Sequence, residues 1–227
     1  VAFDVLSARP LRLTATLADY DRTGQRLTVR SPRPLRGGGA IVYGPGGAVI
    51  ARVAGTVVDE RTLVLTWDAQ GREVVKVDVE ATDTWGQRGG LFLSPWWYAI
   101  PHEDVVFASG SAEVAATEAP KLERSWEEIR RVLDLYGPVV EIRLFVAGYT
   151  DTVGDAASNQ ALSERRARAL AAWFRQRGFQ GPVAYQGFGE SVLAVPTGDG
   201  VDEAANRRAV YLLAAEVPPV SVDVPRA

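Results

Sequence analysis

Two charged residues of this chain, Asp151 and Arg166, lie fifteen positions apart and are the best candidates for a binding site. Asp151 follows residues 140–146, where alternating apolar residues predict a strand with one buried face, so a rigid element would hold its carboxylate. Arg166 lies in a predicted helix that begins near Asn159, and the spacing of Asn159, Ser163 and Arg166 puts them on one helix face. The ordinary alternatives are a solvated helix arginine and an aspartate that forms a turn.

The same helix face becomes apolar toward its C-terminal end, at Leu170, Trp173 and Phe174. Its polar end is therefore expected at the rim of a packed core. The helix N-terminus adds partial positive charge, which favours an anionic group nearby.

Alternating strands and helices from His102 onward would position these residues. The first helix has an apolar stripe at spacings of three and four, and Gly137-Pro138 ends it. The order predicts an α+β sandwich, β-α-β-α-β-β, with helices on one face of a sheet. Its predicted elements are a strand at 105–107, a helix at 118–136, a strand at 140–146, a helix at 159–177, and strands at 182–186 and 208–213.

The first hundred residues instead predict β structure, because short segments rich in β-branched residues alternate with turn signals. Six or seven strands in this length favour an immunoglobulin-like β-sandwich. We therefore expect two domains, at 1–100 and 101–217, and a tail at 218–227; residues 103–217 should fold alone. The predicted strands are 11–17, 26–30, 40–43, 48–53, 62–67 and 74–81, with turns at 37–39, 44–47 and 68–72.

Composition excludes several classes of function. The absence of cysteine rules out disulfides and thiolate metal sites, and no segment is apolar enough to predict a membrane span. Residues 1–100 hold 12 basic and 10 acidic residues, and residues 101–227 hold 13 basic and 18 acidic residues. Neither half has the basic face that nucleic-acid binding requires.

Motifs spread over about 110 residues of the second half resemble the OmpA-like family. The family pattern runs "GHTD-x-x-G", an Asn, "LS-x-x-RA", "G-x-GE" and "NRR", in this order and at this spacing. The matching segments here are Val105–Val114, Ala147–Gly154, Ser158–Leu170, Gly187–Glu190 and Asn206–Arg208.

The resemblance implies non-catalytic binding of peptidoglycan through the diaminopimelate of its stem peptide, without a metal or cofactor. The free end of that side chain is a zwitterion, which needs one planar cation and one carboxylate. By resemblance, Asp151 takes the ammonium and Arg166 the carboxylate, while Arg207 either contacts the ligand or forms an ion pair that holds the sheet. The remaining implied pocket residues are Thr150, Asn159, Leu162, Phe107, Ala108 and Ser109.

Two parts of the second half depart from that pattern or lie outside it. Tyr149 stands where the family usually has histidine; it keeps a ring and a polar tip but cannot become cationic. This bears on affinity more than on the class of ligand. The acidic segment between Gly189 and Asn206 is interpreted as a variable surface loop.

Three functions are compared. The first is a cell-wall anchor in the periplasm or outer-membrane region of the envelope, with the sandwich as a spacer or partner-binding domain. The second is a component of an envelope assembly, such as a stator or secretion complex, that contacts an envelope protein through the N-terminal domain. A wall-processing enzyme is poorly supported, because the sequence has no cysteine, a single histidine and no nucleophile elbow.

Overall fold

The computed structural model describes residues 10–108 and 110–217. They form two compact units: residues up to Trp96 with 138–140, and Trp97–Gly137 with the residues from Glu141 onward. The predicted tail at 218–227 lies outside the described residues.

The first unit consists of strands in two four-stranded antiparallel sheets, with short 3-10 turns. The sheet orders are β1-β2-β6-β5 and β4-β3-β7-β8. In chain order this is the A-B-E-D sheet and the C-F-G sheet of the immunoglobulin-like fold, with one strand added beside C. The strands are β1 (Tyr20–Asp21), β2 (Arg26–Arg30), β3 (Leu35–Tyr43), β4 (Val49–Ala54), β5 (Thr56–Asp59), β6 (Thr62–Thr66), β7 (Lys76–Asp83) and β8 (Arg88–Leu93).

Alternating side chains from both sheets fill the core of this unit. In β2 Leu27 and Val29 are buried and the residues between and beside them are not, as the sequence pattern predicts. The predicted strand at 11–17 is wrong: it is reduced to one bridge between Thr14 and Arg30.

The glycine run at 37–39, predicted as a turn, lies inside β3. A Cβ at Gly39 would stand 2.6 Å from the carbonyl oxygen of Val53, so the neighbouring strand leaves no room for a side chain. Glycine here serves close approach of two strands rather than chain reversal.

The second unit is α+β, with two helices among the strands of a four-stranded sheet. The sheet order is β11-β10-β12-β9; β10 and β11 are parallel, and the other pairs are antiparallel. The elements are β9 (Trp97–Ala99), α1 (Ala119–Tyr136), β10 (Arg143–Gly148), α2 (Ala156–Arg177), β11 (Val183–Gly187) and β12 (Ala209–Ala214).

Helix α2 begins three residues earlier than predicted because Asp155 caps it. The Asp155 carboxylate accepts a hydrogen bond from the backbone N–H of Ser158 at 2.9 Å. The helix ends at Gly178, whose φ of +111° is left-handed, as its position predicts.

The predicted strand at 105–107 is wrong, and the sheet begins instead with β9. Residues 97–99 pair with β12 and occupy the edge next to it, so 105–107 have no place in that ladder. The sheet therefore starts four residues before the predicted boundary at 101.

We expect residues 97–217 to fold cooperatively without the first unit. Residues 103–217, which lack β9, should melt about 5 °C or more lower, as for a loss of about 1 kcal/mol in a domain of this size. Thermal melts followed by circular dichroism test both fragments. An unfolded 97–217 fragment beside a folded full chain would contradict the assignment of an independent domain.

Candidate functional site

Asp151 lies in the loop that follows β10, and only 7% of its surface is exposed. Its Oδ2 accepts a hydrogen bond from Arg207 Nη1 at 2.6 Å, and its Oδ1 lies 3.3 Å from the backbone N–H of Val153. The carboxylate therefore joins the loop after β10 to the residues that lead into β12.

Arg207 is shared between two carboxylates, those of Asp151 and of the largely exposed Asp202. Its hydrogen bond to Asp151, followed by that to Asp202, raises the pKa of the guanidinium above its ordinary value. The predicted alternative for Arg207, an ion pair, is present, and the same guanidinium also lines a cavity.

Arg166 extends from α2 and is only 8% exposed. Its Nε donates to the carbonyl oxygen of Ser111 at 3.1 Å, and its guanidinium carbon lies 5.0 Å from the centre of the Phe107 ring. Within the described part of the chain it forms no ion pair. Burial lowers the pKa of Arg166, and Asp151 acts in the opposite direction.

A cavity of about 340 Å³ lies between these groups. Arg166, Arg207 and Asp104 are the charged residues among those that line it. The other walls are apolar. They are formed by Val105, Val106, Phe107, Ala204 and Ala205.

Asn159 fixes the loop that carries Asp151. Its side-chain amide donates to the carbonyl oxygens of Asp151 at 3.3 Å and Val153 at 3.1 Å, and to Glu190 Oε2 at 2.6 Å. The predicted pocket residue thus holds the aspartate loop and lies outside the cavity lining.

Thr152 attaches the same loop to the segment before β12. Its hydroxyl donates to the carbonyl oxygen of Gly198 at 2.7 Å and accepts from the backbone N–H of Val201 at 3.0 Å. The segment interpreted as a variable surface loop is therefore fixed to the site, and its Ala204 and Ala205 form one cavity wall.

Helix α2 lies very close to the strand that precedes the loop. A Cβ on Gly148, the last residue of β10, would stand 2.4 Å from the carbonyl oxygen of Ser163. Ser163 in turn accepts the backbone N–H of Gly189 at 2.8 Å. This approach places the start of α2 beside the aspartate loop.

The structure brings together only part of the residue set that the sequence predicts. Arg166, Arg207 and Phe107 line the cavity, and Asp151 joins them through Arg207. Thr150 is buried, with a hydroxyl that has no hydrogen-bond partner among the described residues. Leu162 is half-buried on α2 and Ala108 is exposed, both outside the lining, and Ser109 is not among the described residues.

Tyr149 is buried and takes no part in the cavity lining. Its ring stacks on Phe188 at 5.3 Å, and the guanidinium carbon of Arg208 lies 3.9 Å from its centre. Its departure from the family's histidine therefore changes the packing behind the aspartate loop.

Sequence reasoning missed Asp104, Val105, Val106, Ala204 and Ala205 as lining residues. The alanines carry no chemical signal, and they belong to a segment whose acidic composition is typical of solvent exposure. Their place follows from the hydrogen bonds of Thr152, which no local pattern predicts.

The sequence profile of the OmpA family matches residues 106–207, and this segment of the chain is an OmpA family domain. The chain is 35% identical over 127 residues to the Photosystem I P700 chlorophyll a apoprotein A2 of Gloeobacter violaceus. That match covers 52% of this chain but only 14% of the apoprotein.

Three solved structures are similar to parts of the chain. The peptidoglycan-associated lipoprotein of Burkholderia pseudomallei is 22% identical, with 48% of this chain and 88% of that chain covered and a TM-score of 0.40. The cell wall anchor of the T6SS from Pseudomonas aeruginosa is 21% identical, with 63% and 85% covered and a TM-score of 0.40. The periplasmic domain of Helicobacter pylori MotB is 14% identical, with 63% and 83% covered and a TM-score of 0.41.

Among residues 10–108 and 110–217, no helix is long and apolar enough to cross a membrane. No group of three His, Cys, Asp or Glu side chains there is placed to hold a metal ion.

Asn159→Ala should lower the free energy of unfolding by about 1–3 kcal/mol, because it leaves two backbone carbonyls and a half-buried carboxylate without their donor. Urea denaturation of the full chain measures this. Arg168→Ala, at an exposed position of the same helix, is the matched control and should unfold as the parent does. Equal stability of the two variants would show that the Asn159 amide does not hold the loop.

Proposed function

We propose that the OmpA family domain binds peptidoglycan without catalysis, through the diaminopimelate of the stem peptide. In this proposal the protein, or an envelope assembly that contains it, is attached to the cell wall from the periplasm. The β-sandwich would serve as a spacer or as the contact for an envelope protein.

The observation that carries the proposal is the buried guanidinium of Arg166, which has no carboxylate partner in the described part of the chain. A buried unpaired charge is costly. A ligand carboxylate in the cavity would supply the missing partner, and the planar guanidinium matches a carboxylate through two parallel hydrogen bonds.

The second half of a zwitterion requires an acceptor for its ammonium group, and Asp151 supports that role. Its Oδ2 is held by Arg207 in the unliganded chain. Binding would exchange one cation for another at this carboxylate, and Arg207 would keep Asp202 as its partner or turn to the ligand carboxylate. The exchange leaves no charge unpaired, which favours a ligand with both charges over a simple anion.

The apolar walls fit the chain that connects the charged end of diaminopimelate to the peptide. Val106, Phe107 and Ala204 present aliphatic and aromatic surface, and the cavity volume of about 340 Å³ lies within the range of small-ligand sites. Arg166 and Asp151 are thereby assigned to the two charges of the ligand, which describes binding rather than bond cleavage.

Asp151→Ala and Arg166→Ala should each weaken binding of a diaminopimelate-containing muropeptide by about 30-fold or more. Each leaves one ligand charge unpaired in a desolvated pocket, at a cost of about 2–5 kcal/mol. Arg166→Lys should also bind poorly, since an ammonium cannot form the two-pronged contact. Calorimetric titration of the full chain measures the affinities, and thermal melts verify folding.

Arg165→Ala is the internal control, because Arg165 is exposed and points about 100° away around the helix. It should bind as the parent does. Parental affinity in folded Asp151→Ala or Arg166→Ala protein would refute the site, and a muropeptide recovered cleaved would refute the non-catalytic role.

Co-sedimentation with purified peptidoglycan should be unchanged by EDTA. The proposed contacts are made by guanidinium and carboxylate groups, and no metal ligand takes part. Loss of sedimentation in EDTA, with the melting temperature unchanged, would indicate a carboxylate-bound cation at the interface with the wall.

A further inference from the structure

His102, the only histidine of the chain, lies between two backbone carbonyl oxygens. Its Nδ1 is 2.6 Å from the oxygen of Ile100, and its Nε2 is 2.7 Å from the oxygen of Ala209. The ring is largely buried and lies 4.3 Å from the ring of Tyr211. Both nitrogens are therefore within hydrogen-bonding distance of groups that can only accept.

The chemistry of imidazole limits what this arrangement can be. The neutral ring has one N–H and one nitrogen lone pair, so it can satisfy only one of two carbonyl oxygens. The protonated ring donates from both nitrogens. In the neutral form, a lone pair would face a carbonyl oxygen at less than 3 Å, which is repulsive.

The ring replaces a backbone link at the edge of the sheet. Strand β9 pairs with β12, and the next backbone bond runs from the Ile100 N–H to the oxygen of Tyr211 at 2.9 Å. Pro101 has no N–H to donate, so the ladder cannot continue through it. The His102 side chain makes the next connection, to Ala209, two residues after Arg207.

The cavity wall begins directly after His102. Residues 104–107 form no regular strand, and side chains of α1 and its N-cap bind their backbone. Lys121 Nζ donates to the oxygen of Asp104 at 2.9 Å, and the N–H of Val106 donates to Glu118 Oε2 at 2.8 Å. The His102 side chain thus connects the segment that leads into this wall to Ala209, the first residue of β12.

We propose that His102 is a positioning residue of the candidate site: its protonated ring fixes the wall at 104–107 against the start of β12, and ligand affinity falls when the ring loses its proton. The inference rests on the proposed function only for its ligand. The positioning of the wall itself is a property of the free protein.

The charged and titratable groups around the ring include a carboxylate, which favours the cation, an ammonium, which opposes it, and a buried phenol. Asp104 Oδ1 lies 3.9 Å from Nε2, and a carboxylate at this distance stabilises an imidazolium. Lys121 faces the Asp104 carbonyl from α1. The Tyr211 hydroxyl stays neutral, because burial raises its pKa.

The test is calorimetric titration of the full chain with a diaminopimelate-containing muropeptide at a series of pH values from about 5.5 to about 8. The protonated ring donates to both carbonyl oxygens and the neutral ring to only one, so the second contact is lost when the ring is neutral. Affinity should therefore fall about fivefold, which is about 1 kcal/mol at 1.4 kcal/mol per tenfold.

His102→Gln carries no charge at any pH in this range, and both of its N–H donors are on one nitrogen, so it cannot reproduce the two separate ring nitrogens that face the two carbonyls. Its affinity should be nearly independent of pH and close to that of the parent at pH 8. Glu103→Gln is the matched control: Glu103 is exposed and pairs with Arg124, so this variant should keep the parental pH profile. Identical profiles for the parent and His102→Gln would overturn the proposal.

Hydrogen exchange of the Val106 amide gives a readout that needs no ligand. The parent should exchange more slowly than His102→Gln at pH 5.5, and the ratio of the two rates should approach one at pH 8. Equal rates at pH 5.5 would overturn the positioning role. A further outcome is that the exchange-rate ratio changes with pH as expected while neither the parent nor any variant binds muropeptide. In that case the proposed ligand is wrong, and the positioning of the wall by His102 stands.

Discussion

The ion pair between Asp151 and Arg207 is the interaction on which the geometry of the site depends. One carboxylate that is nearly buried faces two guanidiniums, and only one of them is paired with it. Loss of Arg207 would leave the Asp151 carboxylate without its ion-pair partner, at a cost reduced by the solvent that reaches the 39% exposed Arg207 side chain. Hydrogen bonds hold the loop around this carboxylate: the Asn159 amide binds the carbonyl oxygens of Asp151 and Val153, and the Thr152 hydroxyl binds Gly198 in the segment that leads to Arg207.

The cavity wall formed by residues 104–107 is held by side-chain contacts to its backbone. Residues 104–107 have the β-branched composition of a strand, but the position beside β12 belongs to β9. Their backbone groups are bound by the side chains of Lys121 and Glu118. Side-chain contacts are made one at a time and lack the cooperativity of a ladder, so this wall depends on few interactions.

Much of this fold can be predicted from local pattern. The apolar stripe of α1 identifies its buried face at Leu122, Trp126 and Ile129, and the shared face of Asn159, Ser163 and Arg166 is buried as their spacing implies. A local sequence pattern cannot show which of two candidate segments pairs with a given strand of the sheet. Both 97–99 and 105–107 are plausible strands, and only tertiary pairing decides which one occupies the edge. Glycine is equally ambiguous, because the run at 37–39 looks like a turn until the neighbouring strand is present. The alanines of the cavity wall carry no signal of their own.

The two consecutive arginines before β12 show how a short motif can serve two purposes. Arg207 reaches Asp151 and the cavity, while Arg208 lies over the ring of Tyr149 and donates to the oxygen of Val192 at 3.3 Å. Tyr149 and Asp151 are themselves two residues apart in one loop, so each arginine holds one of them. A cation over an aromatic face is favourable whichever ring is present, whereas a histidine at 149 that became protonated would repel Arg208. Tyrosine therefore provides this packing contact without placing a second cation beside Arg208.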